Sequence, residues 1–407
     1  MKNKILIISY TFPPMQGVGG RRWAKLANAL YDSGDEVHVI AAQPFAGESS
    51  SWRVNEKIIV KRFPRSYPNI ITEKPKNAWQ KIQYRITLFI LKLLIRTNYY
   101  DRGVFWYKYF QCDILNYIKV NGIKNVIVTG GPFSFLYYAA KLKEKYPDIK
   151  LLIDIRDEWG ADQFYGFGLL SSKRKKSEIL RIKYALEKAD LVTVPYPYMI
   201  TIYADMINEN KDKIKLLAHG VDEVFIINAK QKTQVNKFVK LVNFGSIHSN
   251  QEDIMQCLAD GINNSTLHLH FYSQEHKYIN IFNHKKVLNK NVFYHLPVIE
   301  EQVAKTLSIS DAALLFIPSH FKNSITTKFM EIVANRTPIV AIGEKGEAVD
   351  FIIKNNLGVF IDVEKLKDEF INIPSMLKNL NYNLHFDISP YRFEKQAALL
   401  HNYLNIP

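Results

Sequence analysis

Apolar residues along this chain gather in short runs bounded by glycine, proline and small polar residues, with amphipathic segments between them. The first run, KILIISY, predicts a buried strand, and Gly17 to Gly20 predict a loop. RRWAKLANALYDSG then predicts an amphipathic helix stopped by Gly34, and EVHVIAA the next strand. A strand-loop-helix-strand order implies a parallel sheet. NVIVTGGP (125–132), KLLIDIRDEW (150–159), ADLVTVPYP (189–197) and IKLLAHGVD (214–222) continue the pattern. The polar stretch QKTQVNKF suits an interdomain linker, after which the alternation begins again. VKLVNFGSI (239–247), LHLHFYS (267–273), NVFYHLP (291–297), AALLFIP (312–318), TPIVAIG (337–343) and GVFIDV (358–363) read as strands, with helices such as EEQVAKTLSIS and TKFMEIVA between them.

Two successive halves of this kind predict an α/β protein with two doubly wound domains, residues 1–228 and 238–388. Residues 389–407, containing SPYRFEKQAALLHNYL, predict a C-terminal helix able to cross back to the first domain. Ligands of such folds sit outside the carboxyl ends of the strands, which for two domains means a central cleft that both face.

Length agrees with this division, because 407 residues exceed the roughly 250–300 that one core supports. With 47% hydrophobic and 23% charged residues, the composition is that of a folded protein. Cys112 and Cys257 are the only cysteines and lack metal-ligand or CxxC spacing, so neither a disulfide framework nor a zinc site is expected, and a cytoplasmic setting fits. MKNKILIISY has the basic start and apolar run of a signal peptide but no small-residue cleavage site after it, which favours a first strand. No run reaches the roughly 18 apolar residues of a transmembrane helix.

The net charge of +15 changes the picture once it is divided along the chain. Residues 1–200 hold 32 Lys and Arg against 17 Asp and Glu, while residues 201–407 hold 22 of each. Residues 51–100 alone carry 11 basic and 2 acidic side chains, interleaved with Trp79, Leu88, Phe89, Ile90, Leu91, Leu93 and Leu94. A basic segment with an apolar face favours an anionic surface such as a membrane or a phosphate-bearing polymer, and residues 74–110 are expected to meet the membrane, the alternative being packed helices with solvated basic residues. Nucleic acid is not an expected partner, because no nucleic-acid module accompanies the charge.

Candidate chemistry lies at strand ends. FPPMQGVGGRRWAKL follows a strand and opens a helix; its glycines permit close backbone approach, the helix start offers unpaired amides, and Arg21 and Arg22 add positive charge. A dinucleotide loop is disfavoured, since GxGxxG spacing is absent and the second strand ends in Ala41, Ala42 and Gln43 without an acidic residue. In LLIDIRDEWG, Asp154, Arg156, Asp157 and Glu158 cluster at a strand end, where Asp157 can meet a sugar hydroxyl and Arg156 orient it, or the charges can simply pair. TGGPFS, with Gly130 and Gly131, suits either a polar ligand or a capped helix. In NFGSIHSNQ, Gly245 and Ser246 can offer amides to phosphate. In SITTKFMEIVANRTPIVAI, Lys328 falls in the first turn of an expected helix with Thr327, and Glu331 lies three residues on, on the same face. An ammonium there can reach a diphosphate and a carboxylate can hold ribose hydroxyls; the alternative is a surface ion pair worth about 0.2–0.5 kcal/mol.

The ordered set FPPMQGVGG, IDIRDEW, AHGVD, NFGSI and TTKFMEIVANRTPIV covers nearly the whole chain and resembles the nucleotide-sugar-dependent glycosyltransferases of family four, of GT-B fold. The resemblance implies two Rossmann-like domains facing a cleft and a metal-independent, retaining hexosyl transfer with no cofactor. The donor would be a nucleoside diphosphate sugar, of UDP or GDP type. It further implies Glu331 on the ribose, Lys328 on the diphosphate, Gly19 and Gly20 close to phosphates or sugar, and Asp157 near the transferred sugar. Lys328, helix amides and Arg21 would stabilise charge on the leaving phosphate, and Arg156, Gly130 and Gly131 would meet the acceptor. Two departures stand out. Asn323 occupies the place of the first of two glutamates eight positions apart, and GSIHSNQ offers His248 where relatives carry Arg or Lys. The resulting expectation is an enzyme peripheral to the inner membrane face, acting on a glycan or polyprenyl-linked acceptor in bacterial surface polysaccharide (lipopolysaccharide or capsule) synthesis. A GT-B nucleotide-sugar epimerase and a non-catalytic glycan-binding partner are the alternatives.

Overall fold

The structure, a computed structural model, describes residues 3–73, 75–207, 211–226, 238–245, 251–262, 265–274 and 278–405. The chain divides into two compact units, one of Met1–Ala218 with Phe393–Pro407 and one of His219–Arg392. The division falls after Ala218, ahead of the QKTQVNKF stretch, which lies outside the described residues except for Phe238.

Unit 1 is built on seven strands, β1 Lys4–Ile8, β2 Glu36–Ala42, β3 Ile59–Phe63, β4 Asn125–Thr129, β5 Lys150–Asp154, β6 Leu191–Val194 and β7 Ile214–Leu216. They pair in parallel in the order β3-β2-β1-β4-β5-β6-β7. Its longer helices are α1 Val18–Asp32, α2 Ala78–Leu94, α3 Ser134–Lys145 and α4 Ser172–Lys188. Central strands are buried on both faces, which is why β1, β4 and β5 read as unbroken apolar runs. The hydrophobic pattern does not reveal β3, whose first four residues alternate between exposed and half-buried at the sheet edge before the buried Phe63, and whose IVKRF sequence carries two charges.

Unit 2 repeats the architecture with β8 Val239–Phe244, β9 Leu267–Tyr272, β10 Val292–His295, β11 Ala312–Ile317, β12 Ile339–Gly343 and β13 Gly358–Asp362. All are parallel, in the order β10-β9-β8-β11-β12-β13. Its helices include α5 Glu252–Ile262, α6 Thr327–Ala334 and α7 Glu347–Lys354. In both sheets the chain order reverses beside the first strand, between β1 and β4 and between β8 and β11, so each unit has a topological switch point at its strand ends. The predicted doubly wound α/β fold is therefore present in both units.

The last helix, α8 Phe393–Asn405, belongs to unit 1, where Phe393, Ala397, Leu400 and Leu404 enter the same core as Trp23, Ala27 and Leu30 of α1. His401 Nδ1 lies 2.9 Å from the buried Asp35 carboxylate.

At the centre of unit 1 the Asp154 carboxylate is fully buried. It accepts hydrogen bonds from Trp23 Nε1 (3.2 Å), Thr129 Oγ1 (3.0 Å) and Thr193 Oγ1 (2.9 Å), and pairs with Arg22 Nη2 at 3.4 Å. Arg22 also donates to the carbonyls of Ala218 (2.8 Å) and Leu217 (2.9 Å). Asp154→Ala is expected to cost about 3–5 kcal/mol, because it strands a buried guanidinium. Asp260→Ala, which breaks an exposed pair with Lys285, is expected to cost under about 1 kcal/mol. Urea unfolding of the two variants checks the contrast.

Candidate functional site

In unit 1 the expected residues converge at the carboxyl ends of β1, β4 and β5. Gly17, at φ 137°, ends the loop after β1, and α1 begins at Val18, so Gly19 and Gly20 form its first turn and not part of a loop as the pattern predicted. Gly17 itself takes the left-handed geometry, which releases the next residues to the helix. A Cβ at Gly19 would collide with the Arg156 guanidinium, and one at Gly20 would press on the Thr11 carbonyl oxygen at 3.1 Å. Gly19 thus makes room for Arg156, and Gly20 lets α1 pack on the preceding loop.

Arg156 is fixed from several sides. Its Nε donates to the Gly130 carbonyl at 3.2 Å, and its Nη2 meets the Tyr165 hydroxyl at 3.2 Å and Asp157 Oδ2 at 3.3 Å. Gly131, at φ 85°, has no space for a Cβ, which would strike the Tyr165 hydroxyl and lie 2.7 Å from Arg156 Nη2. Burial opposes the charge of Arg156, but Asp157 and Tyr165 outweigh it and hold the guanidinium above its ordinary pKa. Burial raises the pKa of Glu158, partly offset by the Tyr196 hydroxyl that donates to it at 2.9 Å. The outcome is a preoriented cation with a half-exposed carboxylate, Asp157, beside it, able to meet an anionic or hydroxyl-bearing ligand. Arg21 is buried in the first turn of α1. Tyr165 was not legible as part of this group, since only the fold brings QFYGFG against the glycines after β4.

In unit 2 Gly245 and Lys328 of SITTKFMEI come close together. Gly245 follows β8 at φ 86°, and a Cβ built on it would lie 3.5 Å from Lys328 Nζ. Helix α6 starts at Thr327; the Thr326 hydroxyl caps it by accepting from Phe329 N–H at 3.2 Å. Thr327, Lys328 and Glu331 are half-buried, while Phe329, Met330, Ile332 and Val333 are buried. Burial pushes the Lys328 ammonium down to about 8, with the Glu331 carboxylate pulling the other way. Ser246 and His248 lie outside the described residues.

Beside Gly245 opens a cavity of about 320 Å³ lined by Phe244, Gly245, Tyr272, Ser273, Gln274, Pro297, Val298 and Val303. Its volume is at the small end of the range for ligand pockets. Phe244 and Tyr272 stack at 4.7 Å, and Tyr272 stacks in turn on His295 at 4.4 Å. His295 continues the column to His270, at 5.2 Å between centroids and 2.9 Å between Nε2 and Nδ1. Burial, with Lys240, His295 and His268 nearby, pushes His270 down to about 3, so its ring is neutral at physiological pH. These rings escaped the motif reading because they face each other from neighbouring strands.

Asn323 sits apart from that cavity's lining and has a definite local job. Its Oδ1 accepts from the Glu347 N–H at 3.1 Å, at the start of α7, leaving the amide NH2 as its remaining polar group. Among the described residues no group of three or more His, Cys, Asp or Glu side chains is arranged to hold a metal ion.

Two doubly wound units of this kind, each with the strand order that puts a switch point beside its first strand, constitute the GT-B fold. Solved structures share it over nearly their full lengths. Sucrose-phosphate synthase from Thermosynechococcus elongatus superposes with a TM-score of 0.66 at 12% identity, covering 98% of each chain. The lipopolysaccharide outer core galactosyltransferase WaaB gives 0.63 at 12%, covering 98% of this chain and 99% of that one. A Listeria monocytogenes chain thought to be a UDP-N-acetylglucosamine 2-epimerase gives 0.59 at 10%, covering 98% and 95%. No family model matches the chain, and no curated protein matches it in sequence.

Asn323→Ala is expected to lower the stability of unit 2 by about 1 kcal/mol, whereas Asn323→Asp retains the acceptor and costs less. Chemical denaturation of the two variants decides this.

Proposed function

We propose that this chain is a glycosyltransferase moving a sugar, of hexose type, from a nucleoside diphosphate sugar to a glycan or lipid-linked acceptor of a bacterial surface polysaccharide, at the inner face of the membrane. The observation that carries the donor half is Lys328, a half-buried ammonium at a capped helix N-terminus, lying against Gly245 at the edge of an aromatic-lined cavity. A planar base fits against Tyr272 and Phe244, which are already stacked, and a diphosphate fits over Gly245 toward Lys328. Glu331, one turn further along α6, is the group for ribose hydroxyls. The galactosyltransferase and sucrose-phosphate synthase among the structures of this fold support a transferase reading, and the UDP-sugar in the epimerase's name supports the donor class.

Catalysis in this reading is stabilisation of the leaving β-phosphate. Lys328 and the free amides at the start of α6 supply fixed positive charge in a partly desolvated setting, where it acts more strongly than in water. No metal is needed for that neutralisation. The departing phosphate takes the acceptor's proton on the face it leaves, so configuration is retained without a protein nucleophile. In unit 1, Arg156, Gly130 and Gly131 serve the acceptor, Asp157 accepts from a sugar hydroxyl, and Arg21 adds positive charge near Gly19 and Gly20.

The epimerase reading keeps the donor site and drops the acceptor. Incubation with nucleotide sugars and no acceptor separates the two: slow hydrolysis fits a transferase, and an accumulating epimer fits the alternative.

Lys328 also gives the donor site a pH signature. With its pKa lowered to about 8, the ammonium is largely present at pH 7 and largely absent at pH 9; bound diphosphate favours the charged form. Affinity for a nucleoside diphosphate should therefore be greatest below the folded pKa and fall about tenfold from pH 7 to pH 9. Calorimetry with UDP, GDP, ADP and CDP on the wild type, Lys328→Met and Glu331→Ala tests this. Lys328→Met should lose both affinity and pH dependence, and should melt at a higher temperature at pH 7 without nucleotide, because a partly desolvated charge has been removed. Absence of binding by every nucleotide to the wild type would overturn the donor reading.

A further inference from the structure

Helix α2 presents an apolar face to solvent. Of its 17 residues only Leu91 is buried, against a satellite cluster of Tyr67, Ile95, Tyr99, Phe167 and Leu170. On the opposite side Trp79 is 66% exposed, Phe89 62% and Leu93 67%, with Ile82, Ile86 and Ile90 exposed as well. At 3.6 residues per turn these six side chains fall within an arc of about 100° directed away from Leu91. Lys81, Arg85 and Lys92 fall together in a narrower arc of about 40° along one border of that stripe. No acidic residue occurs between 78 and 94.

Neighbouring contacts continue the positive charge. Arg174 of α4 binds the carboxyl end of α2, donating to the carbonyls of Lys92 (2.6 Å), Ile95 and Thr97 (3.1 Å). Lys173 and Lys176 on the same first turn of α4 are exposed, and Leu169, just before it, is 69% exposed. Among the described residues no helix is long and apolar enough to cross a membrane.

We propose that α2 docks on an anionic lipid surface, lying in the interfacial plane with Trp79, Ile82, Ile86, Phe89 and Leu93 toward the acyl chains and Lys81, Arg85 and Lys92 at the headgroups. A large apolar stripe bordered by unopposed lysine and arginine is the arrangement by which in-plane helices bind membranes. A second copy of the chain is a poorer occupant, since a two-fold pairing of this face brings its basic border close to another without carboxylates to offset it. The docking takes its purpose from the membrane setting of the proposed function, while its physics is independent of donor chemistry.

Co-sedimentation of the full chain with phosphatidylcholine vesicles, with and without phosphatidylglycerol, tests the assignment. Wild type is expected to favour the anionic vesicles by at least about tenfold, falling with added salt. Lys81→Gln/Arg85→Gln/Lys92→Gln should reduce partitioning to anionic vesicles by about a hundredfold, at about fivefold per charge. Phe89→Asp/Leu93→Asp should abolish it, with thermal melting little changed because both side chains are exposed. Equal partitioning of wild type and both variants would overturn the docking. So would concentration-dependent dimerisation abolished by Phe89→Asp/Leu93→Asp, which would make a second copy the occupant. Nucleotide affinity, measured on the same variants, should not move; vesicle binding without nucleotide binding would sink the donor reading and leave the docking intact.

Discussion

Asp154 has no exposed surface, yet it joins four elements of unit 1: its own strand β5, the neighbouring strands β4 and β6 through Thr129 and Thr193, and helix α1 through Arg22 and Trp23. A buried charge is tolerated only when its partners are in place, so this carboxylate demands one relative placement of those elements. Its main chain has a second use, since the Gly130 N–H donates to the Asp154 carbonyl at 2.8 Å. Two residues further on stands Arg156, whose guanidinium returns to the Gly130 carbonyl. The structural ion pair and the candidate acceptor group are thus consecutive parts of one strand end, the first holding the second at a set distance from the glycines.

Unit 2 is organised differently, around stacked rings on neighbouring strands. Phe244 and Tyr272 stack in the wall of the cavity, His295 and His270 continue the column behind them, and the depressed pKa of His270 keeps like charges out of the column. Lys328 is the exception to local comfort. Its ammonium is held where burial disfavours charge, with Glu331 as the partner that offsets the cost. Groups kept in an unfavourable protonation environment at the edge of a pocket are common at functional sites, because a ligand of opposite charge recovers the lost stabilisation.

Sequence pattern and structure part company at identifiable residues. Core strands were legible because parallel strands buried on both faces leave continuous apolar runs, as in KILII and AALLFI. Edge strand β3 was not, since IVKRF needs only one partner strand and carries Lys61 and Arg62 among its apolar residues. Lys328 was legible in the first turn of a helix because helix periodicity is local, and the structure adds Thr326 as its cap. Asn323 was not legible as the partner of Glu347, 24 residues away, because that bond exists only after two loops meet.

What the amino-acid order determined by itself is what depends on short range or on periodicity: strand and helix type, the doubling of the α/β pattern, the positive excess of the first half, and the glycines that permit left-handed turns at 17, 131 and 245. Tertiary structure alone decided which strand ends become neighbours. The order reversal beside β8 brings Gly245 near Lys328, the segment after β5 folds Tyr165 back on Arg156, and among the described residues the apolar stripe of α2 stays exposed. The reason is physical: a helix with apolar residues on two faces can bury either one, and only the packing of Leu91 against the Tyr67 cluster selects the face that remains in solvent.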